Sequence, residues 1–105
     1  MNQVVISGKI SGDIIHEYND SVSTTKFKIL NQRYSPGSGV MMKTYIWCRC
    51  TGALADYVQN EMFEGCDILV TGYIQYISYV VNNTKIDRLI INCNTVTRLE
   101  QEEYD

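Results

Sequence analysis

The stretch Lys43–Gly72, KTYIWCRCTGALADYVQNEMFEGCDILVTG, constrains this chain more than any other, because its periodicity changes twice. In the first part Lys43, Tyr45, Trp47, Arg49 and Thr51 alternate with Thr44, Ile46, Cys48 and Cys50. On a strand those two sets occupy opposite faces. Ala53–Met62 then spaces Leu54, Val58 and Met62 at intervals of four with Tyr57 packed beside them, which reads as one short amphipathic helix. Gly65 suits its stop. Alternation resumes in the next strand. Ile68, Val70, Gly72 and Ile74 share one face, and Leu69, Thr71, Tyr73, Gln75, Ile77 and Tyr79 the other.

The flanking segments read as strands. Asn2–Ile10 is rich in β-branched residues, with Gly8 suggesting a bend or bulge. Ser11-Gly12-Asp13 reads as a turn, after which Ile14–Tyr18 continues the strand. Asn19–Ser23 is loop-like. Thr24–Leu30 sends Phe27 and Ile29 inward and Lys26, Lys28 and Leu30 outward. Tyr34–Gly39 holds the sole proline and two glycines and reads as a hairpin loop. Asn82-Asn83 is a hairpin turn. Lys85–Leu99 is a final strand, interrupted near Asn92–Asn94. Five strands with one helix between the third and fourth is the order of an OB-fold, a partly open Greek-key β-barrel. The fold expected is therefore all-β, with this domain over residues 1–99 and a short acidic end over 100–105.

On the third strand the face holding Ile46, Cys48 and Cys50 suits a core. The other carries two large aromatics and two cations within about 20 Å. Rings stack on the bases of an unpaired nucleic-acid strand and cations meet its phosphates. The competing reading is a face covered by another subunit. Tyr45 and Trp47 lead the stacking candidates, followed by Tyr79, Tyr73 and, from the loop, Tyr34. Tyr76 alternates with its neighbours and is expected to face inward. Lys26, Lys28, Arg33, Lys43, Arg49, Lys85 and Arg88 are the candidate phosphate contacts.

The net charge of −3 argues against bulk attraction to nucleic acid, but the charge is unevenly placed. Glu100, Glu102, Glu103 and Asp105 lie in the last six residues, leaving eight acids against nine cations over residues 1–99. Such a body can hold a local positive stripe. Cys48 and Cys50, one residue apart on a strand, make a poor zinc chelate. With Cys66 and Cys93 they read as small buried hydrophobes in a reducing compartment. His16 is expected in an exposed loop. No Ser/His/Asp arrangement or carboxylate pair stands out, so neither an enzyme nor a cofactor is expected. No apolar run approaches a membrane span and the opening MNQVVISGK has no signal-peptide pattern, so a cytoplasmic protein is expected.

Three segments resemble the bacterial single-stranded DNA-binding protein family. The first has an Asn near the start and then G-x-[IL]-x-x-D and a Tyr, here Asn2, Gly8, Ile10, Asp13 and Tyr18; the family's usual Pro after that Asp is Ile14. The second is T-G-A-L-A-D-Y-V at Thr51–Val58, and the third is E-G-C-D-I-L-V-T-G-Y-I-Q at Glu64–Gln75. Their order and spacing span most of residues 2–99. The resemblance puts Tyr45 at a base-stacking Trp position, Trp47 at a basic position and Tyr79 at a stacking aromatic near a hairpin tip. Tyr34 falls close to another stacking Trp. Thr51 stands where the family has a stacking Phe, and Trp47 replaces that ring four residues earlier, two positions along the same face.

The resemblance implies a protein that coats and protects single-stranded DNA during replication, recombination and repair. It also implies a homo-oligomer, tetramer or dimer, built through Asn2–Ile10. The family's long Gly-rich tail with an acidic tip recruits replication and repair enzymes. This sequence ends in EQEEYD, which resembles a phage or mobile-element member acting in a host cytoplasm and leaves recruitment through that tip unsupported; replication or recombination proteins remain candidate partners. The alternatives are a primosomal replication protein adaptor of the same fold, similar in its Trp47-Cys48 pair, and a protein-interaction module using the aromatic face.

Overall fold

The computed structural model describes residues 1–99 of the 105-residue chain. The expected acidic end, 100–105, lies outside the described residues. The elements are β1 (Val4–Asn19), β2 (Val22–Ser35), β3 (Val40–Thr51), α1 (Ala53–Glu61), β4 (Asp67–Val81) and β5 (Thr84–Arg98). They close into a barrel in the order β1-β2-β3-β5-β4, with the helix between the third and fourth strands: an OB-fold. Every pairing is antiparallel except β3 with β5, a short parallel seam of Trp47 with Ile90, Cys48 with Ile91 and Arg49 with Asn92.

The inward set of each strand builds the core. Phe27, Ile29, Ile68 and Val70 are fully buried, joined by Ile10, Cys48, Cys50 and Ile91. Each large aliphatic or aromatic side chain so buried contributes roughly 1.5–3 kcal/mol. The helix presents Ala55 and Val58 to this core and Met62 follows at its end, also buried. Buried Thr25 donates from its hydroxyl to the Ala55 carbonyl (2.8 Å), fixing the helix start against β2. Tyr57 departs from the expected packing: it is exposed, because Leu54, Ala55, Val58 and Met62 already fill the side of the helix facing the barrel.

Several boundaries differ from the sequence reading, each for a local reason. β1 runs unbroken through Ser11-Gly12-Asp13, which form a β-bulge rather than a turn, with Gly12 at φ +82°. Gly8 holds no bulge. A side chain there would overlap the Leu30 carbonyl where β1 crosses β2, so close approach is what demands glycine. The loop expected at Asn19–Ser23 shrinks to Asp20-Ser21, and both residues adopt positive φ as a tight two-residue hairpin requires. Asn82-Asn83 makes the same turn as expected. Tyr34 and Ser35 end β2 instead of opening the loop. The interruption near Asn92–Asn94 is a bulge: Gly72 pairs with Cys93 and Thr71 with Thr95, leaving Asn94 the extra residue.

The β2–β3 and β4–β5 hairpins run past the barrel, contributing to a long axis of 47 Å. There is no core beneath them. Tyr76 lies on the inward-directed set but is 59% exposed, because the ribbon has left the barrel where that set would be covered. The Asn2 side chain extends the β1–β4 ladder, accepting from the Ile74 N–H (3.0 Å) and donating to its carbonyl (2.7 Å). No helix among the described residues is long and apolar enough to cross a membrane.

Candidate nucleic-acid interface

Strand register places the outward side chains of four strands side by side. Lys26, Lys28 and Leu30 of β2 pair with Arg49, Trp47 and Tyr45 of β3. Across the parallel seam, Trp47 and Arg49 meet Ile90 and Asn92, which pair in turn with Gln75 and Tyr73 of β4. Further along the β4–β5 ribbon, Ile77 with Arg88 and Tyr79 with Ile86 continue the same face. Tyr45, Trp47, Tyr73, Tyr79, Lys26, Lys28, Arg49 and Arg88 thus share one surface.

Trp47 is at its centre. The Lys28 ammonium lies 5.8 Å from its ring centroid and the Arg88 guanidinium 5.3 Å. Lys28 also lies 5.2 Å from the Tyr45 ring. These are cation–π distances, and among the described residues neither cation forms an ion pair. A groove of about 340 Å³ opens beside Trp47, lined by Lys26, Arg49, Ile77, Tyr79 and Arg88. Tyr45 remains 52% exposed and Tyr79 37%, leaving ring area for a planar ligand.

The remaining candidates are spread out. Lys43, opposite Gln32, and Tyr34, opposite Met41, continue the face along the β2–β3 hairpin beyond the barrel. Arg33 pairs with Met42 and Lys85 with Val80, so both project from the opposite face, because each is offset by one residue from its outward neighbours. Lys85 also approaches Asp87 (4.0 Å), and Lys26 approaches Glu17 (3.9 Å). Thr51, paired with Thr24, sits at the helix end of β3, away from the hairpins.

Sequence reasoning missed Asn92 and Gln75. Arg49 donates from Nε to the Asn92 side-chain carbonyl and from Nη2 to that of Gln75, both at 2.9 Å. Period-2 counting puts Gln75 on the outward set, but nothing local says that β5 lies beside β3. A second cluster was also missed. His16 is in β1 rather than a loop, its Nε2 lies 2.9 Å from the Ser23 hydroxyl, and that hydroxyl donates to Asp56 of the helix. The Ser–His–Asp arrangement not seen in sequence therefore exists. Its order is that of a tie, since the serine proton goes to the carboxylate and Ser23 is only 4% exposed. It fastens the β1–β2 hairpin to the helix.

Beneath the interface, Cys48, Cys50 and Cys93 are free thiols on the inner side of the seam. Hydrogen bonding to Cys93, and then burial, pushes Cys48 and Cys50 far up and keeps them protonated. Within the same cluster, hydrogen bonding to Cys48 and then Cys50 draws Cys93 down. On the back of the ribbon, a hydrogen bond to Asp87 raises the Tyr76 phenol.

No family model matches the sequence, and no curated protein matches it. Among solved structures, the chain is similar to a deletion mutant of the single-stranded DNA binding protein from Thermus aquaticus, with a TM-score of 0.78 and 19% identity. The match covers 95% of this chain and 51% of that one, so the chain spans about half the length of its neighbour. The likeness agrees with the OB-fold given by the strand order and the helix position.

Proposed function

We propose that this protein binds single-stranded DNA without strong dependence on sequence, coating strands exposed in replication, recombination and repair. The observation that carries this reading is the half-buried Trp47 between two cations, beside a groove that continues to Tyr79. Bases stack on Tyr45, Trp47, Tyr73 and Tyr79, each stack contributing about 1–3 kcal/mol whatever the base. Lys26, Lys28, Lys43 and Arg88 lie along the same face and meet the phosphates. Tyr34 extends the path along the β2–β3 hairpin. The Thermus aquaticus neighbour, a single-stranded DNA binding protein by name, supports the same ligand class. The protein acts as a binder rather than a catalyst, in the cytoplasm of its cell or of a phage's host.

Self-association accompanies this role. Residues Val4–Gly8 pair with β4, whereas β2 reaches only as far as Ser7, through Asn31, so the other edge of Val4–Ile6 is open. An open edge invites a further strand. A homo-oligomer, dimer or tetramer, forms there through Asn2–Ile10, aided by the exposed Val5, Ile74 and Leu89.

The test is a titration of intrinsic fluorescence with dT oligomers at several salt concentrations. Strong quenching of Trp47 is expected, with log K falling against log salt by about 0.7 per phosphate contact. Absence of quenching at low salt would refute the proposal.

A further inference from the structure

Arg49 stands in the groove in an unusual state. Its Nε–H and one Nη2–H lie along the same edge of the guanidinium. Both are taken, by Asn92 of β5 and Gln75 of β4, at 2.9 Å each. Asn92 donates in turn to the Gln75 carbonyl, closing a triangle across three strands. Asn92 is 8% exposed although it lies on the outward face. A buried amide is costly unless its hydrogen bonds are made, so the triangle holds itself together and fixes the guanidinium plane.

An arginine carries five N–H donors in a rigid fork. With one edge clamped, the end formed by Nη1 and the remaining Nη2–H keeps two parallel donors. Arg49 lines the same groove as Trp47, Arg88 and Tyr79. Along the strand it is two residues from Trp47, about 6.6 Å away, within the reach of a base stacked on the indole. Two parallel donors match two adjacent acceptors. Guanine offers O6 and N7, and in an unpaired strand cytosine offers N3 and O2; adenine puts its amino donor beside N7 and N1, and thymine places N3–H between its two carbonyls. A phosphate offers two acceptors as well, but it does so equally for every nucleotide.

The geometry points to a subsite at Arg49 that prefers guanine, or cytosine through the same paired acceptors, over adenine and thymine, with Asn92 and Gln75 as positioning residues. This rests on the groove being a single-stranded DNA site and adds a base preference to a surface that otherwise tolerates any.

The experiment compares dT octamers carrying one central dG, dA or 7-deaza-dG, the last lacking only the N7 acceptor. In the unaltered protein the dG octamer is expected to bind on the order of tenfold tighter than the dA or 7-deaza-dG octamers. Arg49→Lys keeps the charge but loses the fork, and it should erase that ratio. Gln75→Leu should reduce the ratio, and Gln75→Glu, which retains an acceptor, should preserve it. A purely structural role for the triangle would shift thermal unfolding without moving the ratio. Equal affinity for dG and 7-deaza-dG, with dT octamers still binding, overturns the subsite alone. Failure to bind any octamer overturns the underlying DNA reading.

Discussion

Strands β4 and β5 run through both the barrel and the ribbon beyond it, and the two regions treat the same alternation differently. In the barrel, Ile68 and Val70 are fully buried by the helix and the opposing strands. In the ribbon, the same side of β4 carries Ile74, 42% exposed, and Tyr76, 59% exposed. The other side carries Tyr73 at 43% and Tyr79 at 37%. Tyrosine exposure therefore does not separate front from back. The placing of charge does: the front gathers Lys28 and Arg88 against the Trp47 ring, whereas on the back Lys85 lies beside Asp87 among Val80, Leu89 and Ile74. Alternation in a sequence assigns residues to faces, but what covers a face depends on whether the strand is still inside the barrel.

The largest expected effect tests the barrel side of this contrast. Phe27→Ala should cost about 3–5 kcal/mol in urea unfolding, since the ring is fully enclosed. Tyr76→Ala on the ribbon should fall within about 0.5 kcal/mol; a larger loss would mean that a second subunit covers the back. Next comes Gly72→Ala. A methyl group there would overlap the Asn92 carbonyl at the point where barrel becomes ribbon, and strand shifts costing about 1–3 kcal/mol are expected.

Binding tests the two faces of the ribbon against each other. Trp47→Ala should weaken dT-oligomer affinity by about 1–3 kcal/mol with little change in oligomer mass. Tyr79→Ala should weaken it less and Tyr76→Ala hardly at all. Comparable losses at Tyr79 and Tyr76 would abolish the distinction between front and back. Dissociation of the oligomer by Trp47→Ala would convert the front into a subunit contact. A smaller effect is expected from Lys28→Ala, which should lower the salt slope by about 0.7, one phosphate contact.

The strands, the helix and the outward sets of β2, β3 and β4 were legible because each rests on contacts within a few residues. Phe27 and Ile29 alternate with Lys26 and Lys28, and that pattern has one sensible fold against a core. Tyr57 and Tyr76 were misread for a shared reason. Both sit on a plausible apolar set, and the sequence does not say how far the partner surface extends. Arg33 and Lys85 were grouped with the other cations because a list of charges ignores parity; one residue of offset sends a side chain to the other face. The bulge at Gly12 looked like a turn because both use the same left-handed backbone.

The seam between β3 and β5 is the sharpest case. The amino-acid order by itself determined that Tyr45, Trp47 and Arg49 would share a face, since side-chain direction on a strand is a local property. It also determined the helix that separates β3 from β4, through the spacing of Leu54, Val58 and Met62. Only the tertiary structure decided that Arg88 would lie against Trp47 and that Asn92 and Gln75 would hold Arg49, because those contacts join residues 17 to 43 positions apart. Barrel closure is a global condition on strand order and register, and no stretch of local sequence carries it.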